Sequence, residues 1–276
     1  FLKEKVKYFI KKSIIVNNQY ILVCGLDENN RVYIDSEIKD GNNKIIIIEK
    51  NKDNLYLKKY KNKGLLLVIG DPTDSEIFSS IKVEKAKHAI ISTESDLVNL
   101  EIATQILQFD SDAKLYINIV DRHLRHFHKE QGIFESSSIK MYSYYEDASR
   151  DLFSKFNIDG NDNKIINSEQ SFSIAVIGNT NLSYEVISQA CIMGQLPNEN
   201  ILKIYCIDKH VEEFQKSIEL NYTQINKIQT VKLVYLSLDI NSKDFYESKI
   251  WHDNITNVII CLDNEQKNLD IASNLA

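Results

Sequence analysis

The sequence predicts an α/β protein in which two doubly wound, parallel-sheet domains follow one another along the chain. Three observations support this prediction. Short apolar runs such as residues 65–69 alternate with amphipathic stretches, polar loops follow the apolar runs, and the second half of the chain repeats the first. At 276 residues the chain is long enough for two domains that each bury a core.

Composition and charge narrow the classes of function. Apolar residues make up 43% of the chain and charged residues 26%, as in soluble globular proteins. The formal net charge of −6 argues against a nucleic-acid-binding protein, which needs a concentrated basic face. No apolar run approaches the roughly 18 residues of a membrane span. The four cysteines lack the spacing of a zinc site, so we expect reduced, buried thiols in a cytoplasmic protein.

The first half of the chain contains six apolar runs that predict parallel strands. They lie at residues 19–25, 44–50, 65–69, 86–92, 114–120 and 139–142. After the third run, Asp71 and Pro72 predict the start of a helix, because proline suits the first helical position and Asp71 can act as its N-cap. We expect that helix to end near Ile81. After the fourth run, residues 93–96 form a polar loop that precedes the next helix.

The loop after the first strand decides whether a dinucleotide can bind. In dinucleotide-binding folds the first strand leads into a Gly-x-Gly-x-x-Gly turn, whose glycines let the pyrophosphate approach a helix N-terminus. Only Gly25 remains here, because Asp27 and Asn30 occupy the second and third glycine positions. A carboxylate beside a pyrophosphate is repulsive by roughly 1 kcal/mol or more. We therefore do not expect tight NAD binding in this half.

The acidic residues that follow these strands admit more than one interpretation. Asp27, Glu28, Glu49 and Asp71 would lie along one edge of the sheet, where their oxygens could hold a hard cation such as calcium. Alternatively, Asp27 and Glu28 only complement the dipole of the helix that begins there. Glu49 ends the second strand about 20 residues after Gly25, where these folds keep an acid for a ribose hydroxyl. An adenosine-like or AMP-like ligand and a plainly solvated side chain both remain open for Glu49.

The repeat is the strongest internal signal in the sequence. Gly178 aligns with Gly25, and residues 257–276 align with residues 88–107 without a gap. The second half therefore predicts another copy of the same domain. By comparison with the first copy, we expect this second domain to be incomplete at Ala276.

Acids recur at the matching positions of the second half. Asp208 ends the second strand of that half, as Glu49 does in the first, and Asp239 falls near the position of Asp71. The loop after Gly178 lacks the later glycines but carries no carboxylate. Charge repulsion of a pyrophosphate is therefore not expected there.

One stretch resembles a known family. The run GDPTDSEIF, followed by VEKAKHAIISTESDLVNLEIA, resembles the nucleotide-binding half of the RCK (regulator of potassium conductance) family, also called TrkA-N, over about residues 20–153. The second half resembles an RCK lobe more weakly. The resemblance implies two Rossmann-like domains in the cytoplasmic, ligand-sensing region of a potassium channel or transporter in the inner or plasma membrane. It also implies a homo-oligomer, a ring-like tetramer of tandem lobes, that regulates a membrane pore preceding this region.

The candidate site residues combine the resemblance with the strand ends. The ligand-binding candidates are Gly25, Asp27, Glu28, Glu49, Gly70, Asp71, Ser92, Glu94, Gly178, Asp208 and Asp239. Calcium, held by Asp27, Glu28, Glu49 and Asp71, and an adenine nucleotide are the candidate ligands. RCK domains use a crossover helix to pair two lobes, so Tyr145, Leu152 and Phe153 are the candidate assembly residues on an exposed apolar face.

The predicted organisation has four segments. Residues 1–17 predict a basic linker helix that follows the pore or, alternatively, a plain amphipathic surface helix. Residues 18–157 predict the first RCK-like domain with its crossover helix, and residues 158–170, rich in Asn, Asp and Gly, predict a linker. Residues 171–276 predict the second domain.

No motif of a nucleotide hydrolase, serine hydrolase or metalloprotease is present, so we expect no enzyme. An NAD-dependent oxidoreductase would need a separate substrate domain, whereas the second half is another copy of the first. Two other classes remain open: a soluble regulatory subunit of a Trk-type transporter, and a scaffold whose lobes bind no ligand.

Overall fold

The computed structural model of the chain describes residues 2–109, 112–132, 137–158, 172–195 and 201–275. Contacts within the chain divide it into two compact units, Phe1–Tyr144 and Tyr145–Ala276. We call them unit 1 and unit 2. No helix among the described residues is long and apolar enough to cross a membrane.

Unit 1 alternates strands and helices. Its strands are β1 (Tyr20–Cys24), β2 (Ile45–Glu49), β3 (Leu66–Ile69), β4 (Ala86–Ile91), β5 (Lys114–Asn118) and β6 (Ile139–Tyr142). Its helices are α1 (Leu2–Val16), α2 (Glu28–Lys39), α3 (Leu57–Asn62), α4 (Ser75–Ile81), α5 (Asp96–Leu107) and α6 (Arg122–Glu130), with one short 3₁₀ turn at Val83–Lys85.

The six strands of unit 1 form one parallel sheet in the order β3-β2-β1-β4-β5-β6. The chain enters the sheet at β1 and adds β2 and β3 on one side of it. It then crosses to the other side of β1 and adds β4, β5 and β6, which confirms the doubly wound prediction. Strands β1 and β2 are buried along their whole length because apolar clusters cover both faces of the sheet. Burial on both faces explains why these strands appear in the sequence as continuous apolar runs.

Unit 2 repeats this architecture with four described strands. The strands are β7 (Ser173–Ile177), β8 (Leu202–Asp208), β9 (Val231–Ser237) and β10 (Ile255–Ile260), all parallel, in the order β10-β7-β8-β9. The helices are α7 (Tyr144–Lys155), α8 (Asn181–Met193), α9 (Val211–Asn221), α10 (Lys243–Tyr246) and α11 (Glu265–Leu275), with 3₁₀ turns at Ile225–Lys227 and Lys249–His252. The order of the four strands matches that of the first four in unit 1, so the predicted repeat is also a structural repeat.

Helix α4 begins later than the sequence predicts. We expected Asp71 to cap a helix starting at Pro72, but the helix starts at Ser75 and its N-cap is Asp74, which accepts a hydrogen bond from the Glu76 N–H. Asp71 instead accepts the N–H and hydroxyl of Thr73, two residues ahead. Such a local turn competes with the helix for the same backbone groups, so Asp71 closes a turn of its own.

The C-terminal part of helix α1 packs against the rest of unit 1. Ile15 and Val16 in its last turn are buried in the core of that unit. The Lys11 ammonium donates a 2.6 Å hydrogen bond to the Leu65 carbonyl, and the burial lowers the Lys11 pKa. A helix is therefore present within the predicted segment 1–17, at Leu2–Val16, and its end packs against the sheet beside β3.

Helix α7 lies at the boundary between the two units. Phe153 is 5% exposed in the core of unit 2, and Leu152 packs against that core. The predicted exposed apolar face therefore does not include Phe153; Tyr145 is half-buried. The contacts place the boundary between Tyr144 and Tyr145, at the start of α7, whereas the sequence analysis placed the linker after residue 157. Within the predicted linker, residues 159–170 lie outside the described part of the chain.

Candidate functional site

A glycine ends the first strand of each unit. Gly25 follows β1 with φ +91°, and Gly178 follows β7 with φ +107°, a region that side chains disfavour. A Cβ on Gly25 would lie 2.1 Å from the Ser92 carbonyl oxygen, and one on Gly178 would lie 2.8 Å from that of Cys261. Both glycines are therefore required by close contact with the backbone at the end of the fourth strand, whether or not a ligand is bound.

The loop after Gly25 is closed by its own side chains. Asp27 is the N-cap of α2 and accepts hydrogen bonds from the Asn30 N–H at 2.7 Å and the Ser92 hydroxyl at 3.2 Å. The buried Asn30 amide donates to the carbonyls of Gly25 and Ser92. The polar groups of this loop thus have partners within the protein. This contact pattern supports the helix-terminus interpretation of Asp27.

The corresponding loop of unit 2 is also closed by its own side chains, and these side chains are uncharged. Thr180 and Ser183 form a capping box at the start of α8, in which each side chain bonds the backbone N–H of the other. The Thr180 hydroxyl also donates to the Cys261 carbonyl at 2.8 Å. Neither loop has the open backbone of a pyrophosphate-binding glycine turn.

Glu49, at the end of β2, is buried and both of its oxygens are occupied. One accepts the Asn51 N–H at 2.7 Å, and the other accepts the Asn54 side-chain amide at 3.2 Å. Glu28, at the start of α2, is mostly exposed and accepts a hydrogen bond from Tyr56. Glu49 is therefore held by its own loop rather than solvated.

Asp71 is paired with a lysine. The Lys50 ammonium lies 2.6 Å from its carboxylate, and this pairing, together with the hydrogen bonds from Thr73, lowers the Asp71 pKa to about 2. The ion pair links the ends of β2 and β3. Gly70, just before it, leaves room for Ile77, whose Cδ1 would lie 2.6 Å from an added Cβ.

The predicted four-carboxylate cation site is not formed. Among the described residues, no group of three or more His, Cys, Asp or Glu side chains is arranged to hold a metal ion. The carboxylates of Asp27, Glu28, Glu49 and Asp71 each bond a different set of protein partners. Sheet topology brings these strand ends to one edge, but the four carboxylates are bonded to separate protein partners and do not converge on one point.

The end of β4 carries a polar network that the sequence did not assign. The buried Ser92 hydroxyl lies between Asp27 and the Asn118 side-chain amide, while Glu94 is exposed. Asn99 of α5, fully buried, accepts the Thr93 N–H and hydroxyl at 2.8 Å and donates to the Asn118 carbonyl.

The repeat conserves this contact. Asn268 of α11 accepts the Leu262 N–H at 3.1 Å and donates to the Leu262 carbonyl at 3.0 Å. We call this arrangement in both units the asparagine clamp. Recurrence of a polar residue within an apolar helix stripe was the sequence signal that could have revealed it.

Unit 2 has a cavity of about 320 Å³ at the carboxyl ends of β8, β9 and β10. Its lining residues are Asp208, Lys209, Leu238, Asp239, Ile240, Asn241, Leu262, Asp263, Asn264 and Lys267. The sequence-predicted candidates Asp208 and Asp239 therefore share one cavity, whereas Gly178 is not among its lining residues. Hydrogen bonds from Asn241, together with the charges of Lys209 and Lys267, lower the Asp239 pKa.

Comparison with known proteins agrees with this fold. Residues 21–138 match the sequence model of the TrkA-N domain family. The chain is 29% identical over 96 residues to an uncharacterized protein of Methanothermus fervidus, and 34% identical over 102 residues to potassium channel protein 1 of Methanocaldococcus jannaschii. These matches cover 35% and 37% of this chain, but only 15% and 29% of the two proteins.

Solved structures match over more of the chain. A crystal structure of GsuK bound to ADP has a TM-score of 0.64 at 16% identity, covering 92% of this chain and 56% of that one. The GsuK channel gives 0.65 at 13% identity, covering 92% and 55%, and the GsuK channel bound to NAD gives 0.50 at 11%, covering 94% and 63%. At these identities the similarity shows the fold. The family match over residues 21–138 lies within unit 1, so that unit resembles a TrkA-N domain in sequence and has the same kind of fold as these structures.

Proposed function

We propose that this chain is the cytoplasmic regulatory region of a potassium channel, and that an adenine nucleotide is the ligand it senses. The region binds a ligand and carries out no reaction. Copies assemble into a ring of tandem lobes, and the ring acts on a membrane pore elsewhere in the protein. Regulation requires that the ligand bind one state of the ring more tightly than the other, because only differential affinity shifts an equilibrium.

The observation that carries the proposal is a pattern of residues at the strand ends that occurs in both units. In each unit a glycine with positive φ ends the first strand and an acid ends the second, which is the arrangement that holds a nucleoside in Rossmann-like sheets. Tandem units of this kind also match the GsuK channel along more than nine-tenths of the chain. A potassium channel of M. jannaschii is among the sequence relatives.

The choice of ligand class rests on the same clefts. Structures of GsuK hold ADP and NAD, so this fold accommodates adenine nucleotides in that protein. In this chain Asp27 and its partners occupy the position of the second and third loop glycines. We therefore propose a mononucleotide-type ligand in preference to NAD.

A scaffold that binds no ligand is the second candidate. The observation that favours it is the bonding of Asp27 and Glu49 in unit 1, where all four carboxylate oxygens accept hydrogen bonds from the protein itself. A soluble subunit that acts on a separate transporter predicts the same ligand binding, and differs from the channel only in where the pore is encoded.

The test is potassium flux through the complete protein in liposomes, with and without ADP or AMP. We expect the nucleotide to change the flux rate, while inorganic pyrophosphate, the matched control for phosphate charge alone, does not. Light scattering of the 276-residue chain should show an oligomer. A flux that ignores every adenine nucleotide, from a protein shown to be folded, would contradict the proposal.

A further inference from the structure

The two clefts differ in whether their acid is available. In unit 1 both Glu49 oxygens accept hydrogen bonds from the following loop. In unit 2 one Asp208 oxygen accepts the His210 N–H at 2.7 Å, and the other accepts no hydrogen bond from any described residue. A carboxylate with a free oxygen beside a cavity can accept hydrogen bonds from a ligand hydroxyl pair.

The two units also differ in the ion pair at the ends of their second and third strands. In unit 1 the Lys50–Asp71 pair spans the ends of the second and third strands. The matching residues of unit 2 are Lys209 and Asp239, and within the described structure they form no ion pair. Both residues line the cavity of unit 2, which has a volume of about 320 Å³.

We propose that the cavity of unit 2, and not the cleft of unit 1, binds the ligand, and that the ligand is a purine nucleoside carrying at most one phosphate. This rests on the proposed function and specifies its site. Asp208 accepts the ribose hydroxyls, and Leu238, Ile240 and Leu262 provide the apolar surface against which the base packs.

Charge limits the number of phosphates. Three carboxylates, those of Asp208, Asp239 and Asp263, line the cavity against the two ammonium groups of Lys209 and Lys267. A lining with a net negative charge repels each added phosphate. A single phosphate can contact Lys209 or Lys267 directly, whereas each further phosphate adds negative charge to a lining that already has an excess of it.

The loop beside the cavity limits the ligand further. A pyrophosphate needs glycines that let it approach the helix N-terminus. Here Thr180 and Ser183 bond each other's backbone N–H groups, and the Thr180 hydroxyl bonds the Cys261 carbonyl. These side chains use the loop's own N–H groups, which the glycines of a dinucleotide site leave open to the pyrophosphate, so we expect NAD not to bind.

The chain offers a reporter confined to unit 2. Trp251 is the single tryptophan of the sequence. It packs in the same apolar cluster as Leu238, Ile240 and Leu262, which line the cavity. A ligand in the cavity contacts that cluster and changes the tryptophan emission, and every residue of the cluster belongs to unit 2.

The experiment titrates the 276-residue chain with adenosine, AMP, ADP and NAD, following tryptophan emission and calorimetric heat together. We expect adenosine and AMP to give both signals, ADP to bind more weakly, and NAD to give neither. Asp208→Asn should weaken AMP about tenfold, since it removes charge from a hydrogen-bonded acceptor. Glu49→Gln, the matched variant in unit 1, should change nothing. Lys267→Met should weaken AMP but not adenosine, and it probes the site independently if Asp208→Asn does not fold.

The outcomes separate the two proposals. AMP binding could give heat without a tryptophan signal, and Glu49→Gln could abolish that heat. This result would place the site in unit 1, which would overturn this inference and leave the proposed function standing. NAD or ADP binding more tightly than AMP would overturn the charge argument. No heat with any adenine ligand, from folded protein, would overturn the proposed function as well.

Discussion

The contact between Gly25 and Ser92 can be tested by adding a single methyl group. Gly25→Ala places a Cβ 2.1 Å from the Ser92 carbonyl oxygen at a residue whose φ is +91°. Gly41→Ala is the matched control, because Gly41 has nearly the same φ, +88°, and nothing lies within 4 Å of its added Cβ. The two substitutions share the conformational cost and differ only in the collision.

The magnitudes follow from that difference. A left-handed conformation costs an alanine roughly 1–2 kcal/mol, and this is the whole expected effect of Gly41→Ala. Gly25→Ala must in addition push the ends of β1 and β4 apart by about an ångström, straining the hydrogen bond from the Ser92 N–H to the Cys24 carbonyl. Overpacking of this kind costs about 2–3 kcal/mol more.

Thermal unfolding followed by circular dichroism measures the comparison. A difference of 2–3 kcal/mol corresponds to a Tm gap of about 4–12 °C between the two variants. Gly178→Ala should behave like Gly25→Ala in unit 2, since its Cβ would lie 2.8 Å from the Cys261 carbonyl oxygen. Equal melting temperatures for Gly25→Ala and Gly41→Ala would refute the claim that backbone contact, and not φ alone, requires the glycine.

Three further predictions concern the side chains of the same regions. Asp27→Ala should lower the free energy of unfolding by about 1–2 kcal/mol through loss of the α2 cap, whereas Asp27→Asn should retain most of the stability because Asn can also cap a helix. An equal loss of stability in the two variants, measured by chemical denaturation, would show that charge and not capping matters. Asp71 has a folded-state pKa lowered from 3.8 to about 2, so its contribution is present above pH 4 and is lost as pH falls toward 2. Asp71→Asn should therefore flatten the acid limb of a stability profile, and an unchanged limb would contradict the Lys50 pairing. The thiols should not react with a disulfide reagent until the protein unfolds, because burial raises the pKa of all four; prompt reaction in native buffer would contradict it.

The positions of the strands and their parallel arrangement could be predicted from the sequence because burial on both faces leaves a direct signature. Residues 45–49 are apolar except for the last, and the strand they form is buried throughout. The repeat provided a second copy of the same pattern, which the sheet of unit 2 confirms. Strand ends were placed within one or two residues, as hydrogen-bonded ladders end where the apolar run ends.

Side-chain partners could not be predicted in the same way. Asp71 could cap a helix or close a turn of its own. The choice depends on the backbone angles of the next few residues, which the sequence pattern does not specify. Whether Phe153 is buried, and in which core, depends on the sheet against which α7 packs. The amphipathic sequence pattern of α7 would be the same for either sheet. Glu49 and Asp208 occupy the same position in the repeat, yet only the surrounding loops decide which has a free oxygen.

The asparagine clamp has a mechanical consequence for unit 2. Leu262 lines the cavity, and Asn268 of α11 bonds both its N–H and its carbonyl. A loop held at both polar groups of one residue cannot yield on its own when that residue is displaced. A displacement of Leu262 would therefore have to break both hydrogen bonds or be shared by Asn268, which lies in the first half of the eleven-residue helix α11.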